Sequence, residues 1–434
     1  MTDMTPDQIR QLFADERAKG QRARDAAHAI GLSEGAAVAA HVGAPASGPV
    51  ARVMQRDWVA LLQALEPCGP LLALTRNETT VHEKTGVYRN VSGNSQRMGI
   101  ALGEEIDLRL FFAHWHAAFA VTELAANPSK RAEPSLQFFD AHGLAIHKIY
   151  PRDATDRAAW HAVLQRFEDP AGQPVTFTPA PPPAAPRADS AVDTDALLRD
   201  WAAMEDTHNF FGLLKMHKVE RQQGLRLAEG RFTYRLTTDA VRALLLNAAL
   251  EGTPIMCFVG SGGCTQIHSG PVQRIEPMDI RGAQWLNVLD PGFNLHLRED
   301  AITDVWVVEK PTTDGVVTSV EAFDGTGEVM AMFFGVRKPG LPELPDLPEI
   351  PGLPHWPGKP EKPEKPDDPS NPSEPLDPSD PASPIVPSTK PETNKPGSDS
   401  KVPDTGAAAP VMLITFAGAA FVIGCTAKRK KEDR

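Results

Sequence analysis

A strand pattern that occurs twice places the strongest constraint on the fold. Residues 135–143, SLQFFDAHG, and residues 319–327, SVEAFDGTG, are both alternating segments that end in an Asp-x-x-Gly turn. Alternation with a period of two is typical of strands with one buried face, and such an ending favours a hairpin. Helical patterns and short β runs surround each copy. The chain is therefore predicted to be an internal duplication of the α+β class, with two similar halves, each a large antiparallel sheet flanked by helices.

Composition divides the chain into five segments. Residues 170–191 are rich in Pro and Ala, and are predicted to link a first half at 1–169 to a second half at 192–340. Residues 341–401 lie in a stretch with about half of the 41 prolines and with repeated Glu-Lys-Pro and Asp-Pro-Ser triplets. Such a segment has too little apolar surface to form a core. It is predicted to be a disordered, extended spacer.

The fifth segment, 402–434, opens with the pentapeptide Val-Pro-Asp-Thr-Gly, followed by an apolar run at 407–427 and a basic end. This order resembles the sortase cell-wall sorting signal of Gram-positive surface proteins, with Val402 in place of the usual leucine. The resemblance implies cleavage between Thr405 and Gly406. The apolar run is long enough for a transmembrane helix whose basic end stays in the cytoplasm.

Charge and cysteine content exclude several classes of protein. The formal net charge of −12 argues against a nucleic-acid partner, which needs a basic surface. The four cysteines are scattered and match neither a disulfide framework nor the spacing of a zinc site. The first 24 residues are polar and charged, without the apolar segment of a secretory signal peptide. Export is therefore not predicted, although a wall-sorting signal requires it.

One histidine stands at the start of a predicted amphipathic helix. Residues 204–214, MEDTHNFFGLL, carry apolar side chains at helical spacing, and Asp206 or Thr207 is predicted to cap the first turn. His208 lies beside this cap, at the edge of the buried face. A neutral imidazole there suits an axial bond to haem iron, and a structural hydrogen bond at a helix end is the alternative.

Five motifs occur in an order that is known from one protein family. They are IDLRLFF at 106–112, SLQFFD at 135–140, DTHNFF at 206–211, LNVLDPGFNLHLRE at 286–299, and the segment 309–340, which runs from EKPT to RKPG. With them the chain resembles the HemS/ChuS/PhuS family of bacterial haem-handling proteins, from about residue 6 to residue 340. The resemblance implies the same duplicated α+β architecture and haem b as ligand or substrate.

The resemblance also implies roles for single residues. His208 matches the axial ligand of the haem iron, and Arg109 matches the distal arginine, which is the candidate catalytic residue. Three cations match positions that bind the propionates: Arg221, Lys310 and Arg337. His82 matches a second haem contact in the first half of some relatives. Four aromatic side chains are candidates for the walls of the pocket: Phe210, Phe211, Phe333 and Phe334.

Residue types alone allow other roles. Arg109 also suits a salt bridge within a strand, the three cations suit a solvated surface, and the aromatic residues suit a core. A planar guanidinium is nevertheless well matched to a carboxylate, because it donates two parallel hydrogen bonds.

The sequence leaves three functions open. The first is a cytoplasmic carrier that takes haem from an importer and passes it to an acceptor such as a haem oxygenase. The second is an enzyme that degrades haem in the same pocket, and the third is a haem-capture protein anchored to the membrane or the cell wall through 402–434. The oligomeric state is open as well.

Overall fold

The structure is a computed structural model that describes residues 4–45, 49–123, 133–171, 174–182, 186–313 and 315–336. Arg337, the spacer predicted at 341–401, and the tail with Thr405, Gly406 and the apolar run lie outside the described residues. Among the described residues, no helix has the length and apolar character that crossing a membrane requires.

Helices flank the sheets in both halves. Those of the first half are α1 (Pro6–Ala18), α2 (Ala23–Ala29), α3 (Glu34–Ala39), α4 (Trp58–Gln63) and α5 (Arg157–Arg166). Those of the second half are α6 (Thr194–Ala202), α7 (Asn209–His217), α8 (Arg221–Leu227) and α9 (Ala240–Glu251). Short 3-10 helices occur at Glu66–Cys68, Phe112–His114, Asp189–Ala191 and Glu299–Ala301.

The strands divide equally between the halves. The first half contains β1 (Val50–Val53), β2 (Leu71–Arg76), β3 (Thr80–Gly86), β4 (Ser92–Gly93), β5 (Gly99–Leu102), β6 (Asp107–Leu110), β7 (Ala117–Thr122), β8 (Ser135–Phe139) and β9 (Ala145–Pro151). The second half contains β10 (Thr233–Leu236), β11 (Ile255–Gly260), β12 (Cys264–Gly270), β13 (Ile275–Ile280), β14 (Ala283–Asp290), β15 (Phe293–Arg298), β16 (Ile302–Thr312), β17 (Gly315–Asp324) and β18 (Val329–Gly335).

These strands form two antiparallel sheets whose orders correspond position by position. Sheet 1 has the order β1-β7-β8-β9-β2-β3-β15-β14-β13, and sheet 2 has the order β10-β16-β17-β18-β11-β12-β6-β5-β4. The predicted α+β class with two large antiparallel sheets is confirmed. The structure differs from the prediction of a separate sheet for each half, because the halves exchange three-stranded units. Each unit covers a strand edge of the other half, which would otherwise present unpaired backbone groups.

The inner faces of the sheets and several helices enclose two buried cores. One core joins α4 and α5 to strands of both halves, and includes Trp58, Trp160, Phe138 and Leu108. The other core joins α9 to strands of the second half, for example through Leu244. Burial of this apolar surface is the main force that stabilises the fold.

The remaining helices cover part of each outer face. On sheet 2, α6, α7 and α8 pack on Trp306 and Phe323 through a buried cluster that contains Trp201 and Phe210. On sheet 1, α3, which is equivalent to α8 of the second half, packs against Phe119 and Phe139. The outer face of sheet 2 continues beyond this cluster, and its part from β16 to β6 carries the candidate site.

Capping residues begin helices of the first half. Thr5 caps α1 in a capping box with Gln8, and Ser33 caps α3 by accepting a hydrogen bond from the N–H of Ala36. In the second half, α6 and α7 are separated near Asp206. The predicted cap of α7 was one or two residues early, because His208 is the N-cap residue, although Asp206 accepts the backbone N–H of His208 in the turn before the helix.

Candidate functional site

The register of sheet 2 places several predicted site residues on one outer face. Glu321 lies opposite Met332, and Met332 lies opposite Phe258. Farther along, Gly260 lies opposite Thr265, and Thr265 opposite Arg109. Opposed residues of an antiparallel pair project to the same side, and alternate residues of one strand do so too. We call this surface, defined by Lys310, Glu321, Met332, Phe334, Phe258, Thr265 and Arg109, the C-terminal face.

The C-terminal face is wide and partly apolar. Glu321 in β17 and Arg109 in β6 are separated by four strand spacings, which amounts to about 19 Å. Between them Met332, Phe334 and Phe258 are half-buried, and the rings of the two phenylalanines lie 4.8 Å apart. The face therefore offers an apolar floor with a cationic group at each side.

His208 stands at the start of α7, at the edge of the cluster that covers the face. Its Nδ1 lies 2.7 Å from Oδ1 of Asp206, and its backbone N–H donates to the same oxygen over 2.8 Å. The imidazole side chain is 65 % exposed. The carboxylate holds the ring so that Nε2 is the outward nitrogen, an arrangement that metal-binding histidines commonly have.

The contact with His208 also changes the pKa of Asp206. Burial raises the pKa of Asp206, but the hydrogen bonds from the backbone N–H and the imidazole of His208 outweigh it and hold the pKa below its ordinary value. Asp206 is therefore ionised at neutral pH, as an acceptor for the imidazole N–H must be.

Arg221 and Lys310 meet at a buried carboxylate that the sequence analysis did not single out. Arg221 donates from Nε and Nη2 to the two oxygens of Glu321 over 2.7 Å each. Lys310 Nζ donates to Glu321 Oε1 over 2.9 Å and to Ser319 Oγ over 3.2 Å. The cluster has one anion and two cations, so it carries a net positive charge.

Burial and charge act against each other in this cluster. Burial raises the pKa of Glu321, which is 0 % exposed, but Arg221 and Lys310 hold its pKa well below the ordinary value. Burial lowers the pKa of Lys310, and Glu321 opposes that shift. The only sequence signal for Glu321 is a charged residue in the buried alternation of SVEAFD, where the other copy has Gln137.

The four aromatic residues proposed as walls divide into two pairs. Phe210 is 2 % exposed, with Arg221 Cζ 5.0 Å and Lys310 Nζ 4.9 Å from its ring centroid, so it supports the cations. Phe333 is buried on the inner face in the second core. Both predictions of a wall are therefore wrong. Phe211, which is 74 % exposed, follows His208 by one helical turn, and Phe334 belongs to the C-terminal face.

Arg109 lies at the far side of the same face. It is half-buried, and its Nη1 donates to Oδ1 of Asp107, two residues earlier. Burial raises the pKa of Asp107 although Arg109 opposes the shift. The hydrogen bonds of Arg109 to described residues all come from Nη1, which leaves the Nη2 and Nε donors available to a ligand.

His82 does not share this surface. Its side chain lies opposite Thr75, on the inner face of sheet 1, and is 0 % exposed. Phe293 packs against it with ring centroids 5.0 Å apart, and both ring nitrogens are buried. Burial holds the pKa of His82 well below its ordinary value. The predicted haem contact at His82 is not supported, because the side chain is enclosed between the sheets.

The chain has extensive similarity to known proteins. A profile of the family described as "Haemin-degrading HemS.ChuX domain" matches residues 31–167 and 218–349. The hemin transport protein HmuS of Yersinia pestis is 38% identical over 327 residues, which cover 75% of this chain and 90% of that protein. The hemin transport protein HemS of Yersinia enterocolitica shows the same identity and coverage.

Solved structures agree with these sequence matches. Holo-PhuS, a heme-binding protein from Pseudomonas aeruginosa, superposes with a TM-score of 0.72 at 43% identity, covering 79% of this chain and 96% of that one. ChuS, an E. coli heme oxygenase, superposes with a TM-score of 0.67 at 35% identity, covering 77% and 96%. Identity of this extent over most of both chains leaves one assignment: the chain belongs to the HemS/ChuS/PhuS family.

Proposed function

We propose that this protein binds one haem b on the C-terminal face and carries it for iron acquisition. The observation that carries the proposal is that Arg109 and Lys310 share one partly apolar face, where Arg221 and Lys310 pack on Phe210 of α7, the helix that begins beside His208. His208 would supply Nε2 as the axial ligand, while Asp206 fixes the ring. Phe211 and the floor of the face would contact the macrocycle.

Arg221 and Lys310 are the proposed partners of the propionates. The net positive charge of their cluster with Glu321 is complementary to a carboxylate, and Arg221, whose side chain is 26 % exposed, is the accessible member. Lys310 is buried and acts through the field of the cluster. Arg337, the third proposed cation, lies outside the described residues, and its role remains a proposal from the family resemblance alone.

Titration with hemin tests the axial ligand. Hemin added to the wild-type protein should give a Soret band, and His208→Ala should shift or abolish it and weaken affinity by at least about tenfold. Loss of an outer-shell partner alone typically costs about 10–100-fold, so loss of the ligand should cost no less. His217→Ala is the matched control at the other end of α7. An unchanged spectrum in His208→Ala would remove the proposal.

A second candidate function is haem degradation, for which the free donors of Arg109 are the supporting observation. Donors aimed at charge that develops during a reaction affect rate more than binding, and loss of one typically costs about 10²-fold in rate. Arg109→Ala should therefore bind hemin almost normally but lose haem more slowly under ascorbate. Catalase is the control, since it removes free peroxide. Complete loss of wild-type turnover with catalase would favour a carrier without enzymatic activity.

The relatives named as hemin transport proteins support the carrier function. The cytoplasmic location and the partners, a haem importer or a downstream haem oxygenase, are proposed from the family resemblance. Attachment through 402–434 is a separate proposal that rests on the sorting-signal pattern alone. Membrane association of the full chain, compared with a variant that ends at residue 401, tests it. Equal partitioning of the two proteins would exclude an anchor.

We also propose that the two halves arose by internal duplication. The matching strand orders and the two matched ranges of the family profile support this. Equivalent turns support it too: Gly31 N–H donates to His28 O before α3, and Lys218 N–H donates to Lys215 O before α8. The duplication makes side chains at equivalent positions comparable.

A further inference from the structure

The outer side of α9 exposes two large apolar side chains. Leu250 is 85 % exposed and Leu246 is 46 % exposed, so neither gains the free energy that burial of a leucine provides. Ala243, which is half-buried, lies three residues before Leu246. Residues at positions i, i+3 and i+7 of a helix lie on one side. We call this surface, defined by Ala243, Leu246 and Leu250, the α9 stripe.

The core of the second half does not use the α9 stripe. The residues of α9 that pack in that core are Val241, Leu244, Leu245 and Ala248, together with Ala240 at its first position. They lie on the opposite side of the helix, against the inner face of sheet 2. The stripe is therefore directed away from the core, where apolar side chains contribute nothing to the stability of the single chain.

The equivalent helix of the first half is polar on its exposed side. The helices α4 and α9 immediately precede β2 and β11, which hold the same position in their sheets. The exposed side chain of α4 is Gln63, which donates from Nε2 to the carbonyl of Val91 over 2.9 Å. The architecture thus forms without exposed leucines on this helix, so those of α9 call for a separate explanation.

The two ends of the α9 stripe carry opposite charges. Arg242, beside the first residue of the stripe, donates from Nε and Nη2 to Glu299, and its side chain is 39 % exposed. Glu251, the last residue of α9, is exposed, and the last turn has no basic residue. A carboxylate at this end of a helix is unfavourable, because the helix dipole places negative charge there. Glu251 therefore favours a cation from outside its own helix.

We propose that the α9 stripe is an interface between two copies of this chain, which place their α9 helices antiparallel across a twofold axis. Leu246 and Leu250 of one copy pack on the same leucines of the other, since a twofold interface uses one surface twice. The antiparallel arrangement brings Arg242 of each copy to the last turn of the other helix, where the partner's Glu251 lies. The surface is thus complementary to itself in both apolar contact and charge.

The pairing leaves the C-terminal face of both copies open, because α9 packs on the inner face of sheet 2. The inference does not rest on the proposed function. A contact built on one helix of 12 residues, about 18 Å long, is smaller than a standard interface. We therefore expect a weak dimer that forms at about 0.1 mM protein.

Sedimentation velocity of the full chain, from about 5 µM to about 0.5 mM, tests the association. The average mass of the wild type should rise towards that of a dimer, whereas Leu250→Lys should stay monomeric. Met98→Lys is the matched control, since Met98 is 56 % exposed in the first half, and it should associate like the wild type. A wild type that stays monomeric over this range would overturn the proposal. Association that survives in Leu250→Lys would place the interface elsewhere and refute the assignment.

Charge reversal tests the antiparallel arrangement. Arg242→Glu places two carboxylates together at each end of the contact, and Glu251→Arg places two guanidinium groups there. Each variant alone should associate at least about tenfold more weakly than the wild type. Mixed in equal amounts, the two variants should associate again, because opposite charges then meet at both ends. Thermal melts check that each variant is folded, since Arg242→Glu also loses the pair with Glu299. A mixture that associates no better than the separate variants would refute the antiparallel pairing.

Discussion

The outer faces of the two sheets use the same elements with different charges. On the C-terminal face, Arg221 at the start of α8 pairs with the buried Glu321 and shares it with Lys310. On sheet 1, Glu34 at the start of α3 pairs with Lys148. In both halves the first residue of this helix forms an ion pair with the sheet, but its partner is on β17 in one half and on β9, the strand equivalent to β18, in the other. Ligand chemistry therefore follows from individual residues and not from the architecture.

The inner faces differ as well. In the first half, His147 of β9 forms hydrogen bonds with Tyr88 Oη over 2.7 Å and with Thr75 Oγ1 over 2.8 Å. Thr75 Oγ1 also donates a hydrogen bond to Gln266 of the second half. The strand equivalent to β9 is β18, where Ala331 occupies the position of His147. The two equivalent inner faces therefore differ at this position, where the first half has a buried histidine and the second half has an alanine.

The largest expected effect comes from removing the carboxylate that two cations share. Glu321→Ala would leave Arg221 and Lys310 without their common partner, and breaking a buried ion pair typically costs about 3–5 kcal/mol. The equivalent Gln137→Ala should cost only about 1–2 kcal/mol, because it removes a neutral hydrogen bond to Ser135. Urea denaturation of both variants measures the difference in the free energy of unfolding. Equal losses would mean that the charged carboxylate of Glu321 contributes no more to stability than the neutral amide of Gln137.

Sequence patterns were sufficient for much of this architecture. The repeated SLQFFD and SVEAFD segments indicated equivalent strands, and they are β8 and β17 at matching places in the two sheets. The helix start near Asp206 was also indicated, because a capping turn is a local interaction. The exchange of three-stranded units was not predictable in this way, since pairing between distant strands leaves no local pattern in the sequence.

The candidate site shows the same limit. His208, Arg109, Arg221 and Lys310 were proposed from motifs, whereas Glu321 was not singled out, because a buried acid in an alternating strand is unusual without its partners in view. Phe333 and Phe334 were both taken as walls, although neighbours in a strand must face opposite sides. The enclosure of His82 between the sheets depends on packing with Phe293, which lies far away in sequence.

Acid should weaken the folded protein through the buried His147. Burial lowers the pKa of His147 to about 3, so the folded protein keeps it neutral while the unfolded chain takes up a proton below its ordinary value of 6.5. Stability is then complete above about pH 6.5 and falls as the pH drops towards 3, by about 2 kcal/mol at pH 5.

His147→Gln tests this effect because it keeps a hydrogen-bonding side chain that does not titrate. Between pH 7 and pH 5 its free energy of unfolding should fall by about 2 kcal/mol less than that of the wild type. His268, for which burial and Lys84 lower the pKa to about 3, stays in place in both proteins and cancels in the comparison. Identical pH profiles would show that the network does not hold His147 neutral.

The smallest effect concerns the turn that precedes the third helix of each half. The first half has Gly31 there with φ +75°, and the second half has Lys218 with φ +54°. A left-handed backbone destabilises a non-glycine residue by roughly 1–2 kcal/mol. Glycine avoids this cost, but its greater freedom in the unfolded chain offsets part of the advantage. Lys218 is exposed, so its side chain contributes little to offset the cost.

Lys218→Gly should therefore stabilise the protein by about 0.5–1 kcal/mol, and Gly31→Ala should destabilise it by a similar amount. A Cβ at Gly31 would meet no atom within 4 Å, so its cost would come from the backbone alone. Thermal melts of both variants at neutral pH measure the two changes. Stability changes of opposite sign and equal size would establish that the two turns are energetically equivalent. A loss of stability in Lys218→Gly would show that the lysine side chain stabilises the second half.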